Sequence, residues 1–242
     1  MPTAVFGICV ALLLASNGTP VFANDAVGNL PTIQVFKKVK ENYASMVTYS
    51  DEGKVVSSMN GDSVIHFSTR LARTNFYLIE WARADESLCA LNGQRQAVWS
   101  AGAGDFLQAD GGTKFEGTRQ ISLAHGAISS GGATLTVPEM FFDLTWESRP
   151  FDDLVFSMTR HTDEKIGDCN CYVFTRGAMG ATNTLWIGKQ DFLIHQVRLV
   201  ANKDSLPSIT LTETHTNIVL NRKFTREDFI PTFPLSESAV NQ

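Results

Sequence analysis

Between Asn29 and Met46 the apolar residues recur at spacings of three and four. Phe36, Val39, Tyr43 and Met46 form one stripe, Lys37, Lys38, Lys40 and Glu41 occupy the other side, and Pro31 suits a first turn. The pattern predicts a helix over 29–46 that must lay its stripe against something. From Val47 the texture changes to strands. The segments VTYSDEGKVVSS, DSVIHFSTRLA, NFYLIEWARA, SLCALN and RQAVWSA are short and rich in β-branched and aromatic residues. Asp-Glu-Gly, Asn-Gly-Asp and Asn-Gly supply the turn signals. Links this short permit antiparallel pairing and forbid parallel crossovers.

The middle of the chain reads differently. A helix is predicted over Thr118–Ile128, interrupted by Gly126, Gly131 and Gly132. Thr136-Val-Pro-Glu139 has the form of a capping box with proline near the first turn, ahead of Met140, Phe141, Phe142 and Leu144. Strands resume in DDLVFSMTRHTD, DCNCYVFTRG, NTLWIG, FLIHQVRLVAN and PSITLTETHTNIVLN, with a Gly-containing hairpin turn between Trp186 and Leu193. A short turn at Thr225–Phe229 precedes a Pro-rich tail. No repeat, low-complexity run or linker stands out. The expectation is a single α+β domain over 24–242, with one antiparallel sheet of about ten or eleven strands, an N-terminal helix and a mid-chain helical pair. A sheet that long must curl, and helices on one face of a curled sheet enclose an apolar space.

Composition narrows the partners. The 242 residues are 43% hydrophobic and 19% charged, which excludes a disordered chain and a disulfide scaffold. A net charge of -5 without a basic stripe argues against nucleic acid and gives no reason for docking to an anionic membrane. Met1–Ala23 carries no charged side chain, and its apolar run Ala4–Ala15 is too short to span a bilayer. Val21-Phe22-Ala23 offers small residues where a signal peptidase reads them, so residues 1–23 are expected to be a signal peptide cleaved before Asn24. Cys9 lies inside the apolar run and does not suit lipoprotein acylation. The protein is therefore expected to be periplasmic or secreted.

An oxidising compartment makes cysteines disulfide candidates. The mature chain has Cys89, Cys169 and Cys171, an odd set. Cys169 and Cys171 share one face of an extended strand about 6.5–7 Å apart, at the limit for a bridge. A bridge from Cys89 to either is the other option. The histidines at 66, 125, 161, 195 and 215 are scattered, so neither a metal nor any other cofactor is expected.

The order of helix, five strands, two helices and five strands resembles the LolA/LolB-like group of exported lipoprotein carriers. Arg73-Thr-Asn-Phe-Tyr77 with Trp81 is similar to that family's Arg-Pro-Asn-Leu-Phe segment with a nearby Trp. Ala90-Leu-Asn-Gly93 through Val98-Trp99 resembles its DGK-x-LW hairpin, and Thr184-Leu-Trp-Ile187 its LWID strand. Thr74 departs from the family's proline, and the Arg-to-Trp spacing is longer. The resemblance implies an unclosed β-barrel with a helical lid over a cavity that takes acyl chains. It also implies that Arg73 bonds the lid and holds the cavity shut, a role that a guanidinium with five donors suits.

The expected ligand-binding residues are Arg73, Phe76, Tyr77, Trp81, Trp99, Met140, Phe141, Phe142, Phe156 and Trp186. Catalysis is not expected. The chain has no Gly-x-Ser-x-Gly elbow, no His-Glu-x-x-His and no P-loop. Gly102-Ala-Gly104 reads as a turn, and adjacent strand carboxylates such as Asp163 and Glu164 point to opposite faces. His125 reads as a surface or lid-packing residue. The sequence thus points to a monomeric carrier of lipid or lipoprotein acyl chains that passes cargo between membrane-bound donor and acceptor proteins. A lipid sensor that binds a signalling partner is the alternative, and a secreted enzyme is the third reading.

Overall fold

A computed structural model describes residues 30–58, 63–73, 75–83, 95–109, 115–134, 136–143, 157–178, 180–203 and 206–231. The expected signal peptide, Cys89, Phe156 and the strand expected at SLCALN lie outside them. Among the described residues are three α-helices, α1 (Thr32–Ser45), α2 (Arg119–Ser130) and α3 (Thr136–Phe142). The strands are β1 (Thr48–Ser57), β2 (Ser63–Ala72), β3 (Phe76–Arg83), β4 (Arg95–Ala101), β5 (Asp105–Ala109), β6 (Phe115–Gly117), β7 (Thr159–Ile166), β8 (Cys169–Ala178), β9 (Ala181–Gly188), β10 (Ile194–Lys203) and β11 (Leu206–Leu220). They form one antiparallel 11-stranded sheet in the order β6-β5-β4-β3-β2-β1-β11-β10-β9-β8-β7. The order is linear, so the sheet is not closed, as the family resemblance implies. No helix of the described residues is long and apolar enough to cross a membrane.

Contacts gather the chain into two compact units. One takes Met1–Ser45 and Thr145–Thr212, the other Met46–Leu144 and Glu213–Gln242.

In the first unit, α1 buries Val35, Phe36, Val39 and Tyr43, the stripe its spacing predicts. Phe36 packs on Phe174 of β8 with ring centroids 4.9 Å apart, and the Tyr43 hydroxyl accepts a 3.2 Å bond from the Ile194 amide. The other face of this sheet carries Cys171, Val173 and Trp186. Asp163 and Glu164 diverge as expected. Asp163 pairs with Arg160 and Lys189, whereas Glu164 accepts from the Trp186 indole at 2.9 Å.

In the second unit the strand register sets two faces. Tyr77 and Val98 lie on the face covered by α2 and α3, and Leu78, Ala97, Trp99 and Ala101 on the other. That second face is sealed by Phe229 from a short 3-10 turn at Glu227–Phe229, close to the turn expected at 225–229. Gly102 and Gly104 link β4 and β5 with positive φ of 89° and 120°, so this glycine pair is the turn it reads as.

Three local expectations are corrected. Asp-Glu-Gly makes no turn. It runs through the middle of β1, because the Asp51 carboxylate bonds buried His215 and bare Gly53 leaves room for the Phe67 ring. Gly126 does not interrupt α2, which runs on to Ser130. A Cβ at Gly126 would stand 2.9 Å from Val98 Cγ1, so the glycine lets the helix approach β4 closely. Nor is the Thr136 hydroxyl a capping group for its own helix: it donates to Glu213 Oε2 at 2.8 Å. Thr118 instead caps α2 by accepting from the Ile121 amide, and Gly131 closes it in the left-handed region.

Candidate functional site

The helix-covered face of the second unit brings together most of the residues singled out in the sequence. Tyr77 is fully buried on β3, and Trp81, 4% exposed, shares its strand face. α3 sets Phe141 and Phe142 edge to face, with centroids 5.0 Å apart, and Phe142 meets the Tyr77 ring at 6.0 Å. The Arg73 guanidinium stands over the Phe141 ring at 4.3 Å, and its Nε donates to the Met46 carbonyl at 3.0 Å. Met46 is the residue that follows α1 in sequence, so the arginine contacts a ring of one helix and a carbonyl just past the end of another. Burial lowers the Arg73 pKa and Asp143 opposes that shift. Met140 is half-buried on the same short helix.

A second arginine completes the arrangement. Arg119 lies 4.4 Å over Phe142 and 5.9 Å over Tyr77, with Asp105 3.9 Å from its Nε. Each aromatic residue of α3 is therefore backed by a cation, a contact worth about 0.5–2 kcal/mol depending on desolvation. Burial raises the Tyr77 pKa, and neighbouring Asp105 adds to the rise, so the phenol stays protonated. Arg119 and Asp105 were not legible as site residues. The one signal is that a cation in the first turn of α2 opposes the helix dipole, a local cost that a tertiary contact offsets.

Beneath α3 lies a buried ionic network. His215 Nδ1 meets Asp51 Oδ2 at 2.6 Å, and His215 Nε2 meets Glu213 Oε1 at 3.2 Å. The Tyr49 hydroxyl donates to Asp51 and Thr136 donates to Glu213, so the network joins β1, β11 and the start of α3. Desolvation works to lower the His215 pKa. Hydrogen bonds to Asp51 and Glu213 and the charges of both outweigh it, and the imidazole is pushed up to about 10. It is an imidazolium at neutral pH, with no lone pair to act as a base.

The remaining candidates do not converge on this face. Phe76 and Trp99 pack on the opposite side of the sheet with Phe106 and Phe229. Trp186 belongs to the first unit and sits with Cys171 and Val173. The described cysteines, Cys169 and Cys171, are free thiols. His125 is exposed on α2.

Glu139 on α3 offers a pH test of how the helix is held. Burial pushes its carboxyl up to about 7, from an ordinary 4.5. The native state therefore binds the proton more tightly than the unfolded chain, and stability falls as pH rises from about 4.5 through about 7. Glu139→Gln should add about 2 kcal/mol at pH 8 and almost nothing at pH 4. Urea unfolding of both proteins at the two pH values measures this, and equal gains at both would contradict it.

No family model matches the sequence, and no curated protein does. Among solved structures the chain is similar to the MucA/MucB complex of Pseudomonas aeruginosa, at 12% identity and a TM-score of 0.43, covering 83% of this chain and 60% of that one. It is also similar to an outer membrane lipoprotein-sorting protein domain from Vibrio parahaemolyticus, at 6% identity and a TM-score of 0.35, with 81% and 95% covered. A third is the LolA superfamily protein of Nitrosomonas europaea, at 9% identity and a TM-score of 0.37, with 84% and 99% covered. The chain spans about three fifths of the length of the MucB chains it matches.

Proposed function

We propose that this protein is an exported, non-enzymatic carrier that holds lipid or lipoprotein acyl chains against the face of the sheet under α2 and α3. The observation that supports this reading most is how α3 is attached. A seven-residue helix rests on the sheet through Phe141 and Phe142, and its ring contacts with Arg73, Arg119 and Tyr77 are ones that an acyl chain can replace without stranding a hydrogen bond. Displacing the Phe141–Phe142 end of α3 uncovers the Tyr77 ring while the Thr136–Glu213 bond at the start of the helix stays in place, and the Arg73 and Arg119 guanidinium groups stand there to meet a carbonyl or phosphate headgroup. Donor and acceptor proteins in the membrane, and a monomeric state, belong to the same proposal. A lipid sensor acting on a signalling partner needs the same ligand first, so one test serves both.

Delipidated protein should bind a fluorescent fatty acid. Phe142→Glu should abolish binding while circular dichroism stays β-rich. Arg73→Leu removes the contacts to Phe141 and to the Met46 carbonyl, favours the open form, and should raise apparent affinity about tenfold. Arg73→Lys should restore only part of the clamp, because a point charge lacks the planar guanidinium. An absence of probe binding by the wild type would overturn the carrier reading. Three indistinguishable titrations would leave a ligand site without a gate.

A further inference from the structure

The turn between β9 and β10 gathers three donors of different chemistry. Cys169 opens β8, Asp191 sits in the turn, and His195 is the second residue of β10. Cys169 Sγ lies 3.4 Å from His195 Nε2, and that same nitrogen lies 2.8 Å from Asp191 Oδ2. All three donor atoms fall within 4.8 Å of one another.

A Cys–His–Asp trio invites comparison with a nucleophile relay. In a relay the thiol faces one ring nitrogen and the carboxylate holds the other, so that the imidazole is oriented at one end and takes a proton at the other. Here thiol and carboxylate both face Nε2, and one nitrogen cannot serve both. Convergence of sulfur, nitrogen and oxygen on one point is instead what a metal ion requires. We propose that Cys169, Asp191 and His195 bind one divalent transition-metal ion, Zn2+ by the chemistry of the donors, with its fourth position open to solvent.

The donor set selects the metal. Thiolate, imidazole and carboxylate are all ligands of Zn2+, whereas Mg2+ and Ca2+ are held by oxygen. Tetrahedral bonds of about 2.0–2.3 Å place neighbouring donors about 3.4–3.6 Å apart. The Cys169–His195 separation is already there, and the His195–Asp191 hydrogen bond opens by about 0.6 Å as the metal takes its place. The thiol proton leaves to solvent when the thiolate bonds the ion, and no oxidation state changes. The His195 and Asp191 side chains are 14% and 37% exposed, so water reaches the fourth position.

The surroundings are shaped for this cluster. A Cβ on Gly188 would stand 2.0 Å from Asp191 Oδ1 and 2.8 Å from His195 Nε2, so the bare glycine is what admits both ligands. The Leu193 amide donates to Asp191 Oδ1 at 3.1 Å and orients the carboxylate. Asn42 of α1 donates to the Asp191 carbonyl and fixes the turn from the helix side. Supporting contacts of this kind hold metal ligands in place. Cys171 is not one of the three: it is buried, with its sulfur directed at the Cys169 carbonyl at 3.6 Å. The proposal does not depend on the carrier reading.

The test titrates reduced, chelator-treated full-length protein with Co2+ as a spectroscopic probe and Zn2+ as competitor. One Co2+ per chain should bind with a thiolate-to-cobalt charge-transfer band that Zn2+ abolishes. Cys169→Ser should remove the band. His195→Gln and Asp191→Asn should each weaken Co2+ binding at least about tenfold. Cys171→Ser and Cys89→Ser should leave band and affinity in place. Zn2+ should also raise the melting temperature of the wild type but not of His195→Gln, a readout independent of the spectrum. Circular dichroism of each variant separates loss of a ligand from loss of fold. Failure of the wild type to bind either metal at one per chain overturns the proposal. So does persistence of the band in Cys169→Ser, or its loss in Cys171→Ser.

Discussion

Replacing His215 with leucine is expected to cost about 3–5 kcal/mol of stability at pH 7, because Asp51 and Glu213 then stay buried without their shared cation. Both carboxylates are at most 5% exposed, and the histidine between them 2%. The pH dependence should also reverse. In the wild type the imidazole is pushed up to about 10, so its contribution is complete below about pH 6.5 and is lost as pH rises through about 10. In His215→Leu, two buried carboxylates without a cation are relieved by protonation, so that variant should gain stability in acid. Adding Asp51→Asn or Glu213→Gln to His215→Leu should recover part of the loss, since each removes one stranded charge. Urea unfolding from pH 5 to pH 10 measures all four proteins. If His215→Leu unfolds like the wild type, the network carries no stabilising charge interaction.

Phe229→Ala should cost about 3–5 kcal/mol as well, through a different mechanism: a large ring leaves a packed site and a cavity remains. Phe229 is 2% exposed, stacks on Phe76 at 5.5 Å and meets Phe224 edge-on at 5.4 Å. It covers the sheet face that carries Trp99 and Phe106. Because this face is opposite the one under α3, Phe229→Ala should leave fatty-acid probe affinity unchanged at temperatures where the variant stays folded. Phe142→Glu should do the reverse, losing binding and keeping the fold. Probe titrations and thermal melts of the two variants, run side by side, show whether the two faces have separate duties. A Phe229→Ala variant that folds but binds no probe would join them.

The element pattern was legible because it rests on local periodicity. The stripe Phe36, Val39, Tyr43 marks α1, and period-two strands separated by short links leave an antiparallel sheet as the only pairing. Which face each side chain serves was not legible. Phe76 and Tyr77 are adjacent in sequence, yet one seals a core with Phe229 and the other faces Phe142. Alternation says only that they point apart, and what covers each face is decided by chain far away in sequence. Chemistry built from distant residues was hidden for the same reason. Asp51 sits in a segment with a turn signal, and His215 lies 164 residues away. Cys169, Asp191 and His195 share no metal-binding spacing, because a strand register and a hairpin turn bring them together. By itself the sequence determined the three helices, most of the strands and that the sheet is antiparallel, since propensity and period act over a few residues. The short strands β5 and β6 carry no such pattern and form by pairing outward from β4. Only the tertiary structure decided which carboxylates meet an imidazole and which rings meet a guanidinium, since those energies exist only between groups that the fold has placed within a few ångströms.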